Sequence, residues 1–342
     1  IEILKLNQNK VANEWLVGYG WDQNQWGDKN WPNNKLLNEN FKNINVILKR
    51  IDGHVIMANQ KAIQTLKIPV DTIILAGYIE KIDNIVTGLF VDNAMSLILD
   101  KIPKSDEILK KKAILKAQGD CLAFGLTTID IAGLNKEDID LLEKLHSTNE
   151  LKIKVYAMLL NNEENFKFYI DSIGHPYKTN KLNVRSFKFF ADGSLGSRGA
   201  CLLKPYSDQE NSYGMLLQKK ELFEKKLRKI KLAGFQACTH SIGDSTNRSV
   251  LKSYSKILKS SNDLRWRIEH AQCVNNNDLH YFKEFNIIPS VQPTHATSDY
   301  SWAANRIGKK RLSNCYRYKT LYEENFLIAL GTDFPVEKIN PI

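Results

Sequence analysis

"KKELFEKKLRKIKLAGFQACTHSIGDSTNRSVLKSYSKIL", residues 219–258, decides the fold. Residues 219–234 alternate lysines with apolar residues at helical spacing and end on Gly234, which reads as a helix with one solvated face and a glycine stop. "FQACTH" (235–240) is a short apolar run of strand length, and "STNRSVLKSYSKIL" (245–258) returns to the helical period. Helix, strand and helix in succession make βα units, whose strands pair in parallel.

The rhythm continues in both directions. Downstream come "RWRIEH" (265–270), helix "NNNDLHYFKEF" (275–285), strand "NIIPSVQP" (286–293), helix "KTLYEEN" (319–325) and strand "FLIALGTD" (326–333). Upstream, "VRSFKFFAD" (184–192), "KIKVYAML" (152–159) and "LTTIDIA" (126–132) read as strands, and "NKEDIDLLEKLHS" as a helix capped by Asn135. "SDEILKKKAILKAQGDCLAFG" (105–125) reads as an amphipathic helix with Ser105 as N-cap, apolar residues at 109, 113, 114 and 117, and Gly125 past its end. Seven strands are one short of a closed barrel. The expected fold is therefore a (β/α)8 TIM-like barrel that is incomplete, its first strand and last helix missing. An open doubly wound sheet is disfavoured because no G-x-G-x-x-G follows the first strand. Residues 1–104 break the rhythm with two strand-like runs around a Trp/Asn/Pro-rich loop, and are expected to be a large insertion between barrel strands one and two. Residues 105–342 then carry strands two to eight. Residue 1 is Ile, and the chain stops soon after a strand-like run, so both ends are expected to be cut.

Composition bounds the function. No stretch approaches eighteen uninterrupted apolar residues, so no membrane span is expected. The net charge of +10 comes from lysines scattered over helix faces rather than from a patch, so no nucleic-acid partner is expected. Cys121, Cys201, Cys238, Cys273 and Cys315 have no paired short spacing and are expected to be free thiols in a reducing, cytoplasmic compartment, with export left open.

The chemistry collects at the strand ends. Lys188, His240, His270 and Asp333 close four of the strands, and in parallel barrels these ends share one mouth. Two imidazoles and a carboxylate are ligand types for a divalent metal such as Zn2+. Such a metal acidifies water, and Asp333 is placed to take the proton as general base. Each residue alone has a bland reading: a histidine after a strand is more often a hydrogen-bonded core or cap residue than a ligand.

In order along the chain, "GWDQNQW", "RIDGHVIMAN", "VDNAM", "FKFFADGSLGSRGA", "HSIGD", "RIEHAQ", "VQPTHATSD" and "GTDFPVE" resemble the amidohydrolase superfamily, specifically its amidohydrolase-3 branch of N-substituted formamide deformylase-like enzymes. The resemblance implies a metal-dependent barrel with one or two metals. Its ligands are a His-x-His on strand one, often a carboxylated lysine on strand four, histidines on strands five and six, and an aspartate on strand eight. Lys188 would become a carbamate bridging two metals, favoured by desolvation between Phe187 and Phe189; otherwise it stays an amine paired with Asp192. None of the seven histidines, His54, His146, His175, His240, His270, His280 and His295, stand two apart, so the His-x-His is expected upstream of Ile1.

Substrate contacts are expected from His54, Asp192, Arg198, His295, Asp299 and Trp302, with structural roles open for each. Trp21 and Trp26 either wall a pocket or pack the insertion. The expected activity is metal-dependent hydrolysis of a non-peptide C–N bond (amide, N-acyl or N-formyl) in a small molecule, with a homodimer left open. The alternative is a non-catalytic binding barrel that has lost its strand-one ligands.

Overall fold

Two separate sheets account for the strands of the computed structural model, which describes residues 1–8, 14–69, 71–104 and 106–340. The chain divides into two units. The first comprises Ile1–Lys104, Asp192–Leu217 and Ser298–Lys309; the second comprises Ser105–Ala191, Gln218–Thr297 and Lys310–Ile342.

In the first unit, β1 (Trp15–Trp21), β2 (Asn45–Arg50), β3 (Val55–Ala58), β4 (Gly77–Ile82) and β5 (Ile85–Asp92) lie in the order β1-β2-β3-β5-β4. β1 and β2 are parallel and the other pairs antiparallel. Successive residues enter opposite cores, as the two-residue period of a strand requires. Ile47, Ile56 and Phe90 pack with Trp15, whereas Val46, Val55, Leu89 and Val91 pack with Leu16 and Phe41. The β4–β5 hairpin was not legible in the sequence. Its turn is Asp83-Asn84, with both φ positive (49° and 61°), the conformation a tight two-residue hairpin demands.

The second unit contains β6 (Thr128–Leu134), β7 (Lys154–Leu160), β8 (Tyr177–Lys178), β9 (Leu182–Phe190), β10 (Gln236–Ser241), β11 (Arg267–His270), β12 (Ile288–Val291) and β13 (Ala329–Leu330). Its sheet runs β13-β12-β11-β10-β9-β7-β6, with β8 alone antiparallel on β9. All other pairings are parallel. The seven expected strands are thus present in chain order.

Helices Lys136–Ser147, Lys220–Leu232, Asp244–Leu258 and Tyr318–Asn325 connect these strands and bury Leu142, Phe223, Leu227, Val250, Leu251 and Leu321 against the sheet. A helical segment after β7, residues 163–173, was missed; Asn162 caps it by accepting from Asn165 N at 2.8 Å.

The sheet is curled. Arg267 on β11 donates to Asp130 on β6 at 2.9 Å, although β10, β9 and β7 lie between them. Four interstrand spacings span about 19 Å in a flat sheet, beyond the reach of one arginine side chain. The side chains meet only because the strands wrap round a shared interior. The parallel, curled sheet fits an incomplete TIM-like α/β barrel.

Two expectations need correction. The helix Glu107–Ala123 is capped by Asp106, whose side chain accepts from Leu109 N; Ser105 lies outside the described residues. That helix buries only Cys121 fully and leaves Leu109 exposed, because it precedes β6, an edge strand with a neighbour on one side only. The cysteines are not all free thiols either: Cys273 and Cys315 form a disulfide, while Cys121, Cys201 and Cys238 stand outside any disulfide. A short antiparallel bridge holds the two cysteines side by side, with Val274 N donating to Asn314 O at 3.0 Å and Tyr316 N to Gln272 O at 2.7 Å. Among the described residues no helix is long and apolar enough to cross a membrane.

Candidate active site

Strand alternation sends Phe187 and Phe189 outward into the helix-covered core and Lys188 and Phe190 inward. Lys188 is therefore not desolvated by the phenylalanines beside it in sequence. It is 5 % exposed, with Nζ 4.9 Å from the centroid of the Phe190 ring. No hydrogen bond or ion pair to Lys188 forms among the described residues, and its charge helps to keep Glu269 ionised. Asp192, the alternative partner, accepts from Cys201 N at 3.0 Å.

From Phe190 a succession of rings follows the strand ends. Phe190 and His240 centroids are 5.7 Å apart, His240 and His270 are 4.5 Å apart edge to face, and His270 and His295 are stacked at 6.1 Å. All three imidazoles are buried. His270 has φ of 75° and Ala271 of 40°, left-handed values that break the strand just where its ring is delivered. His270 Nδ1 lies 2.7 Å from Gln292 Oε1. Burial and the charge of His270 lower the pKa of His295 to about 4 against the opposing pull of Asp333, and Glu337 Oε1 is 3.7 Å from its Nε2. Asp333 itself is exposed, at a φ of 52°.

Below this rim the interior is polar. Arg267 pairs with Glu269 (2.7 Å) and Asp130 (2.9 Å) and lies 5.9 Å from the Tyr156 ring. Burial raises the carboxyl pKa of Glu269, but Arg267, Lys188 and a Ser290 hydrogen bond outweigh it and leave it below the usual range. Burial pushes the Cys238 thiol up to about 12, so it stays protonated. Sequence reasoning missed Arg267, Glu269 and Gln292, although all three fall in or beside the "RIEHAQ" and "VQPTHATSD" motifs.

The His240 and His270 rings meet edge to face, and the Gln292 contact engages Nδ1 of His270. A cluster of three or more His, Cys, Asp or Glu side chains arranged to hold a metal ion does not occur among the described residues.

The other expected substrate residues, apart from His295, belong to the first unit. His54 is buried with Nδ1 2.9 Å from Asp92 Oδ1, and Asp92 is packed beneath Gly193 and Gly199 of the "DGSLGSRGA" loop. Arg198 grips Asp208 through Nε (3.2 Å) and Nη2 (2.9 Å). Trp302 is buried, with the Arg306 guanidinium 5.8 Å from its ring, and Arg306 also donates to Asn24 Oδ1 at 2.7 Å. Asp299 is half-buried and its backbone carbonyl starts the helix Ala303–Ile307. Asp192 and Arg198 are thus engaged in holding the unit's own loops. Trp21 stacks on Trp26 at 6.0 Å and meets Trp31 edge-on at 6.2 Å, forming one aromatic cluster in the first unit. A groove of about 520 Å³ in this unit, lined by Asn33, Asn38, Lys42, Ile82, Ile85 and Thr87 among others, contains none of the expected site residues.

A curled parallel sheet whose C-terminal strand ends carry the imidazoles defines a barrel-type α/β protein. The chain belongs to the amidohydrolase family, whose model matches residues 2–342. It is 28 % identical to YtcJ of Bacillus subtilis over 96 % of this chain and 63 % of that protein. It is 29 % identical to the protein LONG AFTER FAR-RED 3 of Arabidopsis thaliana over 98 % and 60 %. Among solved structures it resembles an uncharacterized metal-dependent hydrolase from Pyrococcus horikoshii with a TM-score of 0.78 and 27 % identity, covering 99 % of this chain and 66 % of that one. The chain spans less than two thirds of the length of these relatives.

Proposed function

We propose that this chain is the barrel portion of a metal-dependent hydrolase that cleaves a non-peptide C–N bond, in an amide, N-acyl or N-formyl compound. The observation that carries this reading is the unbroken run of side chains Lys188, Phe190, His240, His270 and His295 along the strand ends, at spacings of 4.9, 5.7, 4.5 and 6.1 Å. A divalent metal bound there, one or two ions and Zn2+ by preference, would supply Lewis acidity to water and to the substrate carbonyl. His240 and His270 hold it. The Lys188 amine would add to CO2, forming an N–C bond and losing a proton, and the resulting carbamate would give a third, anionic donor; Lys188 is buried and makes no ion pair among the described residues, which supports this. Asp333 takes the proton from the attacking water and returns it to the leaving amine. His295, stacked on His270, is the proposed substrate-side residue of this unit.

The barrel would be closed by a strand from outside residues 1–342, bearing the His-x-His and pairing with the open edge of β6. The same strand would pair with β13 at the other edge, beside which Phe326, Leu327 and Leu330 are exposed.

A second reading, a non-catalytic binding barrel, is favoured by one observation: the described residues form no three-donor metal cluster. Metal analysis of the longer protein with an amide-library hydrolysis screen separates the two. Stoichiometric metal and turnover, both lost in His240→Ala and His270→Ala, support the hydrolase. Substrate binding without metal or turnover supports the binder.

A further inference from the structure

We infer that Gln292 is the positioning residue that decides which nitrogen of His270 is offered to the metal, an inference that rests on the metal reading above. A side-chain amide presents one accepting oxygen and one donating nitrogen, and its orientation is read from what each end faces. Gln292 Oε1 is 2.7 Å from His270 Nδ1, while Nε2 faces the carbonyl oxygen of Ser290 at 3.5 Å. Exchanging oxygen and nitrogen would set two accepting oxygens against each other at Ser290, with no proton between them. The oxygen therefore faces His270, and an amide oxygen only accepts. His270 Nδ1 must carry the proton. A neutral imidazole has one N–H, so Nε2 keeps its lone pair, the form that ligates a metal.

The surroundings hold this arrangement in place. Gln292 and His270 are both 6 % exposed, so water competes little for either group. The backbone carbonyl of Gln292 accepts from Tyr318 Oη at 2.9 Å and from His295 N at 3.1 Å, which anchors the residue at the end of β12. Glutamine is also uncharged over the whole working pH range, so the orientation it imposes does not depend on its own ionisation. Gln292 stands directly after the last strand residue, Val291, and immediately before Pro293.

The experiment uses the longer protein with Gln292→Met, similar in shape but lacking the carbonyl acceptor, and Gln292→Glu, which keeps an accepting oxygen. Nitrogen-15 NMR of the metal-free protein reads the His270 tautomer directly. Competition with a chromophoric chelator reads zinc affinity, and thermal unfolding reads stability. The wild type should show His270 as the Nδ1–H tautomer. Gln292→Met should mix the tautomers and weaken zinc binding by about 10- to 100-fold with little change in unfolding temperature, while Gln292→Glu should retain both tautomer and affinity. An Nε2–H tautomer in the wild type overturns the proposal even if Gln292→Met fails to fold, as does an unchanged zinc affinity in that variant. Wild-type protein with the expected tautomer but no affinity for zinc or another divalent cation overturns the metal reading itself, and the positioning role falls with it.

Discussion

Lys188 shows how far one side chain's neighbours in sequence differ from its neighbours in space. Phe187 and Phe189 flank it in the chain, yet the strand period sends them to the opposite face, and Phe190 covers it instead. Gly193 and Gly199 make a similar point from the first unit. A Cβ at Gly193 would stand 2.5 Å from Asp92 Oδ1, and one at Gly199 2.6 Å from Asp92 Oδ2. Gly193→Ala should therefore destabilise the protein by about 1–3 kcal/mol, measured by urea unfolding; an unchanged midpoint would show that the loop yields freely.

His54 gives a pH prediction. Burial lowers its pKa, but the hydrogen bond and charge of Asp92, with the charges of Asp52 and Asp192, outweigh burial and raise it above the ordinary value. A raised folded-state pKa contributes stability below the unfolded value of about 6.5, and that contribution fades as pH climbs through the folded-state value. The stability advantage of wild type over His54→Gln should be larger at pH 6 than at pH 9 in paired urea titrations. An advantage that grows with pH would contradict the assignment.

At the scale of elements, cross-strand ties hold the curled sheet. Arg267 joins β11 to β6 through Asp130, and its other partner, Glu269, is buried. Replacing Arg267 with Met would leave the Glu269 carboxylate in the interior without its main partner, so the loss should be about 3–5 kcal/mol. Denaturant unfolding measures it, and a loss below 1 kcal/mol would mean water already reaches the pair.

The disulfide works at the same scale. It links the end of β11 to the segment leading into the helix Tyr318–Asn325, closing a loop of 42 residues. Cys315→Ser should cost about 2–4 kcal/mol relative to the oxidised protein and nothing relative to the reduced one. Equal stability of oxidised wild type and variant would show that the backbone bridge alone suffices.

For the whole molecule, the second unit's sheet ends in two open edges, and apolar side chains stand exposed near both: Ile108, Leu109 and Phe124 toward β6, Phe326 and Leu330 at β13. Two imidazoles alone make a weak zinc site, since a catalytic zinc normally draws three protein ligands. A protein that carries the proposed strand-one ligands should hold zinc at least about tenfold more tightly than residues 1–342 alone. Equilibrium dialysis of the two would settle it; equal affinities would mean that the site is complete without further ligands.

What could be read from the sequence was whatever repeats locally. The alternation of periods between residues 126 and 333 gave seven parallel strands, and the polar residues that end them gave Lys188, His240, His270 and Asp333 as the residues to examine. Burial on one face of a helix or strand is written at intervals of two to four residues, so a linear reading finds it. The β4–β5 hairpin escaped because its turn, Asp83-Asn84, is a weaker signal than one containing glycine.

Only the tertiary structure decided the rest: that residues 192–217 and 298–309 join the first unit, that Cys273 meets Cys315, that Arg267 reaches Asp130, and that Gln292 orients His270. Each is a pairing across tens of residues or more. Its energy depends on where the chain returns in space, and no local period records that.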